Sequence, residues 1–287
     1  MPDPMSHSHD ATRWQPPAEG LVWRESLWVA RQQAAVSYPE QGNEFCFAIE
    51  DDSYWFRHRA SCILAVLARF SPAGLFLDVG GGNGQVATSL QRAGHQVALL
   101  EPGSGAHNAL RRGLTHVIQA TFSDAGFRPG SLAAAGAFDV IEHIKDDAAF
   151  LREIRHALQP GGRFYCTVPA ANWLWSADDT AAGHYRRYTT STLTRQLETA
   201  GFEVEYVTPF FTWLVVPVFT LRTLPSRLGR RQAARAASAD TIRSDHRMPS
   251  VLQRAIAPIH AWELQRIIGG RSLPFGTSLL CVARARH

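Results

Sequence analysis

The sequence predicts an α/β fold: a doubly wound, mostly parallel sheet with helices on both faces. Three observations predict it. From residue 75 onward, short apolar runs alternate with amphipathic stretches of helical period, as parallel sheets with crossover helices require. The first run ends in four glycines over five positions, LFLDVGGGNGQ at 75–85, and glycine at that density costs entropy unless the backbone needs it. The second run closes on an acid, Glu101, 23 positions after Asp78, where doubly wound folds place a ligand-facing carboxylate.

The elements follow in order. Residues 53–70 carry Trp55, Phe56, Ile63, Leu64, Val66 and Leu67 at helical spacing, and Pro72-Ala-Gly ends that helix. Strand 75–79 leads to helix 85–92, stopped by Gly94, and strand 96–100 to a short helix over 106–112. Strands are expected at 116–122 and, weakly, in the alanine-rich 131–138. The helix at 146–158 starts acidic, ends basic and stops at Pro160-Gly161-Gly162. Strand 163–168, helix 189–200, strand 202–207 and a last strand at 277–283 complete the rhythm. Residues 209–275 interrupt it. They read as an inserted helical cap: the apolar stretch FFTWLVVPVFTL at 210–221, a basic linker over 227–247, and a helix around 251–268. The expected division is a largely flexible segment 1–43, a core of 44–208 and 276–287, and the cap 209–275.

Composition narrows the class. The 287 residues are 45% hydrophobic and 19% charged, with net charge +4, globular values too weakly basic to imply nucleic acid. The four cysteines form no CxxC pair and read as free thiols of a reducing compartment, the cytoplasm. No signal peptide is expected in the polar start. The most apolar stretch has 12 residues and an internal Pro217, short of a spanning helix.

A strand that ends in glycines and opens a helix aims backbone N–H groups and a positive helix end at a ligand. Counted from Gly80, the loop Gly80-Gly81-Gly82-Asn83-Gly84-Gln85 lacks the third glycine of the dinucleotide fingerprint GxGxxG. It fits DxGxGxG led by Asp78. Glu101 is then placed to accept hydrogen bonds from ribose hydroxyls.

These motifs, with LLEP, FDVIEHIKDD, LQPGGRFYCTVPA and GHYRRYT, resemble the class I S-adenosylmethionine-dependent methyltransferases over roughly residues 44–285. Within them the chain is similar to the branch holding ubiquinone-type O-methyltransferases and bacterial glycan and secondary-metabolite enzymes. The resemblance implies a seven-stranded sheet with an antiparallel last strand, the cofactor S-adenosylmethionine and the product S-adenosylhomocysteine. It implies that Asp78, Gly80, Gly81, Gly82, Asn83 and Gly84 cradle the cofactor's methionine portion, that Glu101 holds its ribose and that Pro102 lies beside its adenine. For the adenine amine two arrangements stay open: Asp124 from a shifted position, or Phe122 with the backbone.

Methyl transfer from a sulfonium is an in-line displacement, so the protein mainly aligns the acceptor, helped on oxygen by a base. His143, in the segment after the fourth strand, is the first candidate base, and a helix-capping or pocket-lining role is its alternative. Asp139 is a further cofactor candidate. The resemblance also raises a divalent metal on Asp139, Glu142 and His143, with Asp139 standing where the branch has Glu; no metal is the preferred reading. The cluster GHYRRY at 183–188 adds His184 and Tyr185 as catalytic candidates. Arg186, Arg187, Tyr188 and the loop residue Trp173 are the candidates for binding an anionic or hydroxylated acceptor. Alternatively an arginine pairs with Asp178 or Asp179 and pins the loop while the tyrosines sit in the core; both can hold, one for each arginine.

The expected function is methyl transfer to a small-molecule acceptor, most simply a hydroxyl of a metabolite, sugar or quinone-like or lipid-linked compound. N- or C-methyl transfer and a nicotinamide-dependent oxidoreductase are the alternatives. No nucleic-acid partner is expected. Apolar and basic residues over 209–235 suggest a peripheral membrane contact.

Overall fold

The computed structural model describes residues 14–32, 44, 46–230 and 248–286. These form one nine-stranded sheet in the order β1-β2-β5-β4-β3-β6-β7-β9-β8. The strands are β1 (Leu21–Arg24), β2 (Leu27–Ala30), β3 (Phe76–Val79), β4 (Val97–Leu100), β5 (Val117–Gln119), β6 (Leu132–Phe138), β7 (Leu158–Pro169), β8 (Phe202–Phe210) and β9 (Ser278–Ala285). β5, β4, β3, β6 and β7 pair in parallel, and β9 lies antiparallel between β7 and β8. That seven-strand portion is the expected architecture.

The two further strands correct the expected count of seven. β1 and β2 form a hairpin, Leu21↔Ala30 to Arg24↔Leu27, whose second strand pairs in parallel with β5 at the sheet edge. Leu21, Leu27 and Ala30 are buried, so this part of the supposedly flexible segment is folded. Its turn hides it from sequence reading. Glu25 and Ser26 hold φ of 44° and 76°, the left-handed pair of a tight hairpin turn without the usual Asn-Gly signature. The remainder of 1–43, at 1–13 and 33–43, and most of the basic linker, at 231–247, lie outside the described residues.

The main helices are α1 (Tyr54–Arg69), α2 (Gln85–Arg92), α3 (Gly105–Arg111), α4 (Asp147–Ala157), α5 (Thr190–Thr199) and α6 (Ser250–Ile268). Strand alternation sorts them. Phe76 and Leu99 face the cluster built with α1, α2 and α3, whereas Leu77, Val79 and Leu100 face the one built with α4 and α5. Three of these helices begin on a side-chain cap: Ser53 accepts from Trp55 N at 3.2 Å, Asp146 from Ala149 N at 2.9 Å, and Thr189 closes a capping box with Thr192. The third expected parallel strand is shorter than read. Thr121 accepts from Asp124 N at 3.1 Å and starts a helical turn, Phe122–Ala125, because its hydroxyl offers the backbone an alternative to the ladder.

The cap leaves β8 at Phe210, runs as a short helical segment over 212–228 and returns through α6. One carboxylate fastens it. Glu263 of α6 is fully buried and accepts from His58 of α1 at 2.8 Å, from Phe211 N at 3.2 Å, from Thr212 N at 2.6 Å and from the Thr212 hydroxyl. Against its burial, the bonds from His58 and Thr212 hold the Glu263 carboxyl below its usual range. His260, one turn earlier, stacks on His58 at 3.8 Å and accepts from Trp213 Nε1 at 2.9 Å. No described helix is long and apolar enough to cross a membrane.

Candidate active site

The chain order reverses between β4 and β6 on either side of β3. The carboxyl ends of those strands open a crevice there, the usual ligand position of such sheets. A cavity of about 550 Å³ fills it, lined from Asp78, Gly80–Asn83, Glu101 and Pro102 on one side to Asp139, Glu142, His143, His184 and Arg187 on the other.

The glycine loop is glycine for stated reasons. Gly80, Gly82 and Gly84 hold φ of +65°, +53° and +80°, the left-handed region that side chains resist. Gly81 lacks room instead: a Cβ there would sit 2.8 Å from Asp78 Oδ2. A Cβ on Gly82 would meet no atom within 4 Å, since that position faces the cavity. Glu101 braces the loop, accepting from Gly82 N at 2.9 Å and Gly103 N at 2.8 Å. Asn83 lies beneath, donating to Glu50 at 2.9 Å and accepting from Asn108 at 3.0 Å.

This end of the cavity is poised for positive charge. Asp78 is buried with its Oδ2 unpartnered. Burial pushes its pKa up to about 7, against Arg59 and the Ala87 backbone N–H. Burial also raises Glu50 and Glu101. S-adenosylmethionine, which carries a sulfonium and an ammonium, fits this donor set: an orphaned carboxylate oxygen at the end of a cradle open at Gly82.

At the other end, Asp139 holds a φ of 58° just beyond β6, a conformation Asp tolerates better than most residues. Its carboxylate pairs with Arg59 Nε at 2.6 Å, and Arg59 also donates to Phe138 O at 2.8 Å. The next residues form a turn that presents Glu142 and His143. Glu142 is fully buried, and burial, then the Asp139 charge, raises its pKa well above the usual range. His143 and His184 meet edge to face at 4.8 Å. Burial, then His184, pushes His143 down to about 4. His184 Nδ1 lies 3.0 Å from Asp179, which also pairs with Arg187 Nε at 2.8 Å and accepts from Ser176 N at 2.9 Å. Against its burial, bonds from His184 and Arg187 hold Asp179 below its usual range.

The metal set is not the expected one. The ligand atoms that converge, within 4.8 Å of one another, belong to Glu142, His143 and His184. Asp139 is turned to Arg59 instead.

Several expected site residues lie outside the cavity lining. Phe122 sits in the core between Phe127 and Phe150, with ring centroids at 5.0 and 6.1 Å, because the turn begun at Thr121 carries it off the strand. Tyr188 is buried and donates to Asp147 at 2.8 Å, and Arg186 pairs with the same carboxylate at 2.8 Å. Both pin the loop to α4. Tyr185 and Trp173 are half exposed. Gly84 acts through its turn, packed on Leu114 and Ala109. Of the two arginines, Arg187 alone lines the cavity, so pinning by ion pairs accounts for the tyrosine-arginine cluster better than acceptor contact does.

Sequence reasoning missed Arg59, Tyr54 and Trp55 of α1, Leu214, Val218 and Arg222 of the cap, and Ser278 of the last strand with Thr277 just before it, all lining the cavity. Arg59 did carry a signal. It stands three and four residues before Cys62 and Ile63, on the buried face of α1, where a charge demands a partner.

Comparison with known proteins agrees with this geometry. The family model described as "Methyltransferase domain" matches residues 55–207, just over half of the chain, ending before the cap. A "Probable S-adenosylmethionine-dependent methyltransferase" of Mycolicibacterium smegmatis is 29% identical over 171 residues, 58% of this chain and 66% of that protein. The "Ubiquinone biosynthesis O-methyltransferase" of Xanthomonas axonopodis pv. citri is 30% identical over 111 residues, 36% of this chain and 46% of that protein. The chain thus spans about half to two thirds of those relatives' lengths. The methyltransferase solved with the Haloferax volcanii Trm112 activator shares the fold at TM-score 0.54 and 18% identity, over 86% of this chain and 94% of that one. Phosphoethanolamine N-methyltransferase 2 of Haemonchus contortus, solved with S-adenosyl-L-methionine, does so at 0.53 and 18%, over 88% and 58%. This chain belongs to the class I S-adenosylmethionine-dependent methyltransferases.

Proposed function

We propose that the chain methylates an oxygen of a small-molecule acceptor. The observation that carries this reading is the Asp78 carboxylate oxygen Oδ2, left unpartnered at the end of the glycine cradle, across one cavity from a carboxylate-held imidazole. Bound S-adenosylmethionine supplies an activated methyl group on sulfur. Asp78, the Gly80–Gly82 backbone, Glu101 and Pro102 hold and orient it, and Asp139 is kept in line by Arg59. The acceptor sits between this group and the histidines, and cap residues Leu214 and Val218 help exclude water.

The base is drawn from the histidine pair. His143 keeps its role as a candidate, but His184 is the better proton acceptor. Asp179 fixes its Nδ1, which leaves Nε2 to take the hydroxyl proton, and the same carboxylate stabilises the imidazolium that results. His143 stays neutral beside it and lines the acceptor. Oxygen is favoured over nitrogen by this base and by the partial similarity to ubiquinone biosynthesis O-methyltransferases. A divalent metal would have to use Glu142, His143 and His184 and would acidify the acceptor hydroxyl; the reading proposed is metal-free, so EDTA leaves activity unchanged.

Titrating the protein with S-adenosylhomocysteine and with NADH tests the reading. Binding of S-adenosylhomocysteine is expected, and binding of NADH alone would overturn it. Transfer of labelled methyl from S-adenosylmethionine across a panel of hydroxylated and amine acceptors then separates oxygen from nitrogen.

A further inference from the structure

Twelve large apolar side chains are exposed among the described residues, and ten of them lie in 209–275; the helices and strands of the sheet core present none. The helical segment 215–228 concentrates the feature. One of its faces turns inward: Val218 and Arg222 line the cavity, and Thr223 and Ser226 bond to Leu174 O at 2.8 Å and Ala177 N at 2.9 Å. Its other face is bare. Val216 and Leu221 are each 68% exposed, Leu228 56% and Leu224 41%, with Val216, Leu224 and Leu228 at the spacing of one helical stripe. Trp173 borders the segment, its ring 5.7 Å from Phe219 and its carbonyl held by Arg227 at 2.7 Å.

Charge identifies what covers this face. Residues 227–254 hold seven arginines against two aspartates, while the rest of the chain carries 22 basic and 23 acidic residues. The positive excess of the protein therefore follows directly on the apolar stripe, beginning with Arg227 and Arg230. A second copy would bring the same arginines against themselves across a two-fold interface. An anionic bilayer takes both features at once, apolar side chains at the acyl boundary and guanidinium groups at the headgroups.

We propose that the 215–228 segment docks on the surface of an anionic lipid membrane. The proposal is independent of the methyl-transfer reading. Only its corollary rests on that reading: the cavity opens beside the bilayer, on the opposite face of the same segment, and suits an acceptor with a membrane-embedded tail.

The test is co-sedimentation of the full chain with vesicles of phosphatidylcholine alone and with about 30% phosphatidylglycerol. Expected is binding to the anionic vesicles at least tenfold tighter than to the neutral ones, weakened by salt. The double variant Leu221→Asp/Leu224→Asp and, separately, Arg227→Glu/Arg230→Glu should each lose tenfold or more while keeping melting temperature and S-adenosylhomocysteine affinity. Equal binding to both vesicles, no binding, or binding untouched by either variant overturns the proposal. So does concentration-dependent self-association by sedimentation velocity that the apolar variant abolishes. If the wild type fails to bind S-adenosylhomocysteine, the functional reading falls and the vesicle result still decides this one.

Discussion

The two ends of the cavity are built by different means. The end proposed for the cofactor comes from one continuous stretch and the acid 23 residues later, and its shape is written in backbone geometry. Three left-handed glycines and one with no room for a Cβ make the cradle. The end proposed for the acceptor is assembled from Arg59, Glu142 and His143, His184 and Arg187, and Leu214, Val218 and Arg222, segments that meet only in the fold. A binding surface made of backbone constrains residue type at each position, whereas one made of converging side chains constrains only their sum.

If this contrast holds, damage at the two ends separates. His184→Ala should lower turnover by roughly 10²–10⁴-fold, the range of a positioned base, and leave S-adenosylhomocysteine affinity unchanged. His143→Ala should lower turnover less. Steady-state rates on an accepted substrate check both, and wild-type turnover in His184→Ala would remove it as the base. Gly82→Val forces a side chain into the left-handed region and into the cavity. It should weaken S-adenosylhomocysteine binding on the order of 100-fold and lower the melting temperature through backbone strain alone, about 1–3 kcal/mol, as no atom crowds that position.

The cap lines one end of the cavity through Leu214, Val218 and Arg222, and its fastening to the core can be broken alone. Glu263→Ala leaves His58 and two backbone N–H groups without their carboxylate and should cost about 3–5 kcal/mol of stability, read by denaturant unfolding. His260 sharpens the point by pH. Burial, then His58, pushes its pKa down to about 4 from the ordinary 6.5, so on acidification the unfolded chain takes up that proton first. Its contribution is intact above pH 6.5 and is lost as pH falls toward 4. The carboxyl of Glu263, held low, acts with the same sign further down. The difference in stability between wild type and His260→Asn should therefore shrink as pH drops from 6.5 to 4. A constant difference would show that His260 does not titrate with folding.

A smaller effect probes the cofactor end. With Asp78 near pH 7 before binding, a cationic ligand favours its ionised form and releases a proton. Affinity should then rise as pH increases through about 7, and Asp78→Asn should flatten the profile.

How much of this was legible beforehand follows the same division. Asp78, the glycines and Glu101 could be read because each position needs a particular residue for a local reason. The helices announced themselves through caps and periodicity. The edge hairpin did not, since Glu25 and Ser26 occupy a turn whose sequence signature they lack. Phe122 was misplaced for a reason of similar scale, a threonine hydroxyl that starts a helical turn where the strand, ending at Gln119, was expected to run to Phe122. In GHYRRY the residue types suggested recognition, yet Arg186 and Tyr188 are consumed by Asp147, 39 and 41 residues away in sequence. Only their partners reveal which charged side chains are structural, and partners are a property of the fold.

The most direct test places three proteins side by side in calorimetric titrations with S-adenosylhomocysteine: wild type, Gly82→Val and His184→Ala. The account predicts that wild type and His184→Ala bind alike, within about twofold, and that Gly82→Val binds on the order of 100-fold more weakly. Loss of binding in His184→Ala equal to that in Gly82→Val, or no binding by the wild type, would contradict it.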